Sequence, residues 1–203
     1  CGGNPRRIHQ DFIVLRPALL ALIVIVTPVL AEDVDMPDLP EDYPPKMGEV
    51  SGTFGGVPVV WETFDFSVGA FDASAWVGVG FETPKVAAHV TAYPVDEPDT
   101  MAGRIFAEAE FGAEFRTGKG RNVTVEVYQG DDRDGPRLSS QGKAARFVIE
   151  SIGPATKGSY NRRVTGRIEA RLCPINWDAQ ACQDIALQFD TDMQMESSVP
   201  VRD

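Results

Sequence analysis

The sequence predicts an all-β fold, an antiparallel β-sandwich of jelly-roll type with about eight or nine strands, closure into a β-barrel being the alternative. Three observations predict it. Apolar and polar residues alternate with period two through most of residues 46–196. Gly, Pro and Asp punctuate the gaps. No segment shows a sustained helical period with caps, and residues 96–103 have room for one helical turn at most.

The strands follow in order. Candidates at 48–55 and 58–67 meet at Gly55-Gly56, a pair that suits a tight turn. Further candidates run over 73–82 and 86–93. Ile105, Ala107, Ala109 and Phe111 alternate with Phe106, Glu108 and Glu110. Val123, Val125 and Val127 alternate with Thr124 and Glu126. Asp134-Gly135-Pro136 ends that hairpin, and a strand over 143–152 stops near Gly153-Pro154. Val164, Gly166, Ile168, Ala170 and Leu172 then alternate with polar residues, as do Ile185, Leu187 and Phe189.

The last two strands are specified down to their register. Cys173 and Cys182 stand close together, as in a disulfide-closed hairpin of an exported protein. Pairing them directly sets Arg171 opposite Asp184 and Arg163 opposite Asp192 on one face. On the other, Ile168 meets Leu187 and Gly166 meets Phe189. A one-residue slip loses all four matches. The hairpin is therefore expected near 162–173 and 182–193.

The chain of 203 residues carries 19 Lys+Arg against 30 Asp+Glu, a net charge of −11, with two His and three Cys. This length suits one domain with tails. The acidic balance argues against nucleic acid as partner, which needs clustered cations. Cys1 and His9 lie at the extreme N-terminus, which leaves too few ligands for a Cys/His zinc site.

Residues 18–31, ALLALIVIVTPVLA, form an apolar run shorter than the ~20 residues of a bilayer span. Arg16 precedes it, and Val29 and Ala31 give the small-residue pattern of a cleavage site. Residues 1–31 thus read as a secretory signal peptide, and no transmembrane segment is expected after its removal. Val14 suits a start codon, so residues 1–13 read as untranslated. Removing 1–31 takes out Arg6, Arg7, Arg16 and Asp11, which leaves 16 basic and 29 acidic residues. Residues 32–45, EDVDMPDLPEDYPP, read as a disordered acidic leader. The single β domain is expected over 46–196 and a short tail over 197–203. Arg outnumbers Lys, and Ala and Gly are abundant, as in a GC-rich bacterial gene. The expected compartment is periplasmic or extracellular.

Few residues bear on chemistry. After the signal, His89 is the sole histidine, and a lone strand histidine ordinarily packs rather than catalyses. Glu62 and Asp65 point to opposite faces of their strand, so they cannot pair as glycosidase carboxyls. Glu108 and Glu110 share a face and, with Glu114, read as a solvated acidic surface. Asp131, Asp132 and Asp134 form an oxygen-rich turn, so calcium is the one metal weighed there, though the spacing is not that of an EF-hand. Trp177 and Asp178 lie inside the disulfide loop, where an indole can offer a face to a ligand or partner. Trp61 and Trp76 read as core or near-core. Neither a catalytic set nor a resident cofactor is expected.

The sequence therefore points to a non-catalytic binding or structural module of the cell envelope, with carbohydrate or an envelope protein as partner. The competing class is a carboxylate-based hydrolase acting on polysaccharide. N-terminal sequencing of the exported protein checks the organisation: the chain should begin at Glu32, and a start upstream of residue 18 would show that the apolar run is retained.

Overall fold

The computed structural model describes residues 44–66, 73–80, 85–95, 97–175 and 181–202. The expectations for the signal peptide, for the leader up to residue 43 and for Trp177 and Asp178 lie outside the described residues. All regular structure among the described residues is β.

β1 (Lys46–Phe54) and β2 (Val57–Phe64) form a hairpin. Its turn residues Gly55 and Gly56 have φ of 58° and 82°, which side-chain-bearing residues resist. β3 (Ala75–Val79), β4 (Val86–Pro94) and β5 (Ile105–Gly112) follow as an antiparallel meander. Two short strands, β6 (Phe115–Arg116) and β7 (Gly118–Lys119), lie between β5 and β8 (Arg121–Tyr128). Next come β9 (Arg137–Ser139) and β10 (Ala145–Ala155). β11 (Asn161–Ile175), β12 (Gln183–Met195) and β13 (Val201–Arg202) complete the order.

The hydrogen-bonded order returns to its start. β12 pairs with β3, β3 with β4, β4 with β5, β5 with β8, β8 with β9, β9 with β11 and β11 with β12. β1 and β2 bridge β12 to β4, and β10 and β7 extend from β11. The large sheet is mixed, where the sequence predicts antiparallel pairing throughout. β12 and β3 run parallel at Gln194–Trp76, and β13 runs parallel to β6. The reason is positional. β1 leaves the edge of β12 at Gly48, and β3 takes over that edge in the opposite direction.

The period-two faces become one core. Val86, Ala88, Val90 and Ala92 of β4 point inward with Ile105, Ala107 and Ala109 of β5. Small side chains there leave room for rings from other strands. Phe111, Phe115, Phe147 and Phe189 form a chain of edge and tilted contacts, with centroids 5.4 to 6.1 Å apart. Trp61 is buried as expected and donates Nε1–H to the Gly103 carbonyl at 2.8 Å.

The C-terminal hairpin has the expected register. Ile168 faces Leu187, Gly166 faces Phe189, Arg171 faces Asp184 and Arg163 faces Asp192. Arg171 Nη1 lies 3.0 Å from Asp184 Oδ1. Arg163 is 3.9 Å from Asp192 and reaches further, to Asp190 at 2.6 Å. Cys173 and Cys182 are disulfide-bonded with Cα atoms 4.1 Å apart. Within the segment expected as a tail, 197–203, Val201 and Arg202 pair with Phe115 and Arg116. β6, β7, β9 and β13 have two or three residues each, too short to show an alternation.

Gly166 is required by close approach. A Cβ there would collide with the Phe189 ring and with the Val148 carbonyl oxygen. Gly166→Ala should cost about 1–3 kcal/mol in urea denaturation, as overpacked cores do. Phe189→Leu in the same chain should recover part of that loss, because the two side chains share one space.

Candidate functional site

The outer face of β3, β4, β5 and β8 carries a cross-strand row. Trp76 is opposite His89, His89 opposite Glu108, and Glu108 opposite Thr124. The Trp76 and His89 rings stack with centroids 3.9 Å apart and planes 11° apart. His89 Nδ1 lies 3.6 Å from Glu108 Oε2. That carboxylate favours the imidazolium, but burial outweighs it and pushes the His89 pKa down to about 4. Burial, reinforced by the neighbouring Glu110 charge, raises the Glu108 pKa.

The row leads along β5 to a concavity of about 690 Å³. Lys85, Glu110, Glu114, Arg116, Lys119, Arg121 and Asn122 supply its polar walls. Glu110, Arg116, Lys119, Arg121 and Asn122 stand on strands, Lys85 directly precedes β4, and Glu114 lies between β5 and β6. Arg121 sits opposite Glu110 in the β5–β8 pairing. Lys119 is held where β7 pairs with β10 at Val148. Arg116 follows Phe115, which is wholly buried in the core, and is paired with Arg202 through β13.

The carboxylates of this concavity are already engaged. Glu110 Oε2 accepts from Lys85 Nζ and from Asn122 Nδ2, each at 2.9 Å. The Lys85 bond, helped by Asn122, lowers the Glu110 pKa and keeps it ionised. Glu114 lies 3.7 Å from Arg202. Among the described residues, no carboxylate is within ion-pair distance of Arg116, Lys119 or Arg121. The backbone of the rim is unusual too. Asn122 has φ of 49°, and is the one described non-glycine residue with positive φ. Gly112, at 88°, lines the same concavity, and a Cβ there would meet nothing within 4 Å.

The other expected site residues are not brought together. Asp131 Oδ1 accepts from Ala102 N–H and Thr100 Oγ1, each at 3.2 Å, which ties its loop to the turn before β5. Asp132 Oδ1 accepts from Asp134 N–H at 3.0 Å within its own turn. Among the described residues no three His, Cys, Asp or Glu side chains converge as a metal site, so the calcium expectation at Asp131, Asp132 and Asp134 finds no assembled ligand set. The physical reason is that Asp132 spends an oxygen on its own turn and Asp131 spends one on the turn before β5. Glu62 is buried and lies 2.6 Å from Lys46.

The cationic rim is a residue set that sequence reasoning misses. Its signal is the stretch Arg116-Thr117-Gly118-Lys119-Gly120-Arg121, three cations with no acid among them in a chain of net charge −11. Whole-chain charge hides so local an excess.

Comparison with protein-family models, with curated proteins and with solved structures finds no match to this chain. The class that fold and site define is an all-β module carrying a cation-lined concavity beside an aromatic row.

His89 generates a pH prediction. The unfolded chain takes up a proton near pH 6.5, whereas the native imidazole resists it down to about 4. Stability should therefore fall as pH drops through that window. Glu108, the carboxylate facing His89, has a raised pKa and contributes with the opposite sign. NMR titration should place the His89 midpoint near pH 4, and His89→Gln should flatten the acid-side slope of urea stability. A midpoint at the ordinary value would refute the burial account.

Proposed function

We propose that this chain is an exported, non-catalytic binding module of the bacterial cell envelope, working in the periplasm or outside the cell, with its ligand held in the β5–β8 concavity. The observation that carries the reading is the state of the carboxylates. Hydrolysis of a glycosidic bond needs two of them across one cleft, one held protonated and one free. Glu62 is occupied by Lys46, Glu110 by Lys85 and Asn122, and Glu114 by Arg202. Glu108 shares its face with His89 and with Glu110, and the Glu110 carboxylate is already held by Lys85 and Asn122. The concavity meanwhile has the volume of a small-molecule site and leaves three cations open. A disulfide at Cys173–Cys182 suits an oxidising compartment.

Thermal-shift screening of the purified protein against calcium and a panel of neutral and charged sugars tests the reading. A ligand of the concavity should raise Tm increasingly with its concentration. The same samples should release no reducing ends from polysaccharides. Cleavage that disappears in Glu108→Gln or Glu110→Gln would establish the hydrolase instead.

A further inference from the structure

We propose that the β5–β8 concavity binds a compact, polyvalent oxyanion: a small molecule carrying two or more carboxylate, phosphate or sulfate groups. This rests on the binding-module reading and names the ligand class of the same site. Four cations line the concavity against two carboxylates, and both carboxylates already have partners. Arg116, Lys119 and Arg121 remain open among the described residues. Arg116 also stands in register with Arg202 across the β6–β13 pair. Like charges set opposite each other destabilise a strand pair. Glu114 relieves Arg202, and nothing described relieves Arg116. A bound oxyanion would supply the missing charge.

The chemistry of the wall fits. Guanidinium forks grip planar or tetrahedral oxyanions through paired N–H bonds, and the ammonium adds a point charge. Asn122, a non-glycine residue with positive φ, lines the same concavity, and such a conformation persists only where the surrounding structure imposes it. Size follows from the opposing fields. A net charge of −11 over the chain repels an extended polyanion, whereas one that fits inside about 690 Å³ meets the local cations first.

Isothermal titration at low ionic strength tests this, with citrate and pyrophosphate as probes and acetate and maltotriose as controls. Citrate or pyrophosphate should bind at one site per chain and weaken as salt rises; whichever binds tighter tells the carboxylate source from the phosphate source. Arg116→Ala combined with Arg121→Ala should weaken binding at least about tenfold. Arg116→Lys should retain part of the affinity, since charge survives and the fork does not. Arg171→Ala, at a residue that does not line the concavity and pairs with Asp184, should bind like the parent. Without anion, Arg116→Ala should melt no lower than the parent, because it removes a repulsion; a purely structural arginine would lower Tm. Failure of both anions to bind, or unchanged binding in the double variant, overturns the proposal, as does tighter binding of heparin chains than of citrate at those residues. Should maltotriose bind there instead, the oxyanion class falls and the binding module stands. Polysaccharide cleavage that depends on Glu108 would bring down the underlying reading itself.

Discussion

The pairing of β11 with β12 is the constraint on which the rest of the fold depends. These are two of the longest strands, and each supplies both of its edges to other elements. β12 gives its second edge first to β1 and then to β3. β11 gives its second edge to β10 and then to β9. The register of that one hairpin therefore sets where four other strands dock. A slip of β12 by one residue would turn Leu187 and Phe189 outward and bring Asp184 in, against an unmoved Ile168 and Arg171 of β11. The disulfide lies at the turn end of the pair, where it holds the register and narrows the unfolded ensemble, a constraint worth roughly 2.5–3 kcal/mol in the chain-entropy model. Gly166 lies under the Phe189 ring in the middle of the pair, and the ring is then free to join the aromatic chain through Phe147.

From this hairpin the sheet reaches the concavity by way of the core. Phe189 touches Phe147, Phe147 touches Phe111, and Phe111 touches Phe115. Phe115 anchors β6, and the next residue is Arg116. β7 is pinned to β10, which is itself paired with β11. The rim cations thus stand on backbone tied to the most firmly specified part of the molecule. A site built on short paired strands holds its geometry better than one on a free loop.

Much of this was legible in residues that alternate. Long strands with a dry face betray themselves through pairs such as Val125 with Val127 or Ile185 with Leu187, and charge matches fixed the one register that mattered. The short strands were not legible, because two residues such as Gly118 and Lys119 carry no period. Their pairing is decided by what lies beside them in space. The parallel contact of β3 with β12 was hidden for the same reason, since no local pattern reports which strand inherits an edge. The sequence groups Glu108, Glu110 and Glu114 as one solvated acidic face, but it does not reveal their partners. In space each takes its own partner: Glu108 faces His89 of the stacked Trp76–His89 pair, Glu110 is neutralised by Lys85, and Glu114 belongs with Arg202.

Net charge and site charge are different quantities, and this chain separates them. Its excess of 11 negative charges counts residues wherever they lie, including acids in the segment 32–43. Contact energetics are decided within a few ångströms, and at physiological salt charges beyond roughly 8 Å are largely screened. Arg116, Lys119 and Arg121 fall within six residues, and folding adds Lys85 and Arg202 to the same end of the sheet. Nearby carboxylates answer only the two that folding adds. Whole-chain charge therefore governs solubility and what drifts near the surface. What the concavity can hold is governed by the cations that no carboxylate reaches.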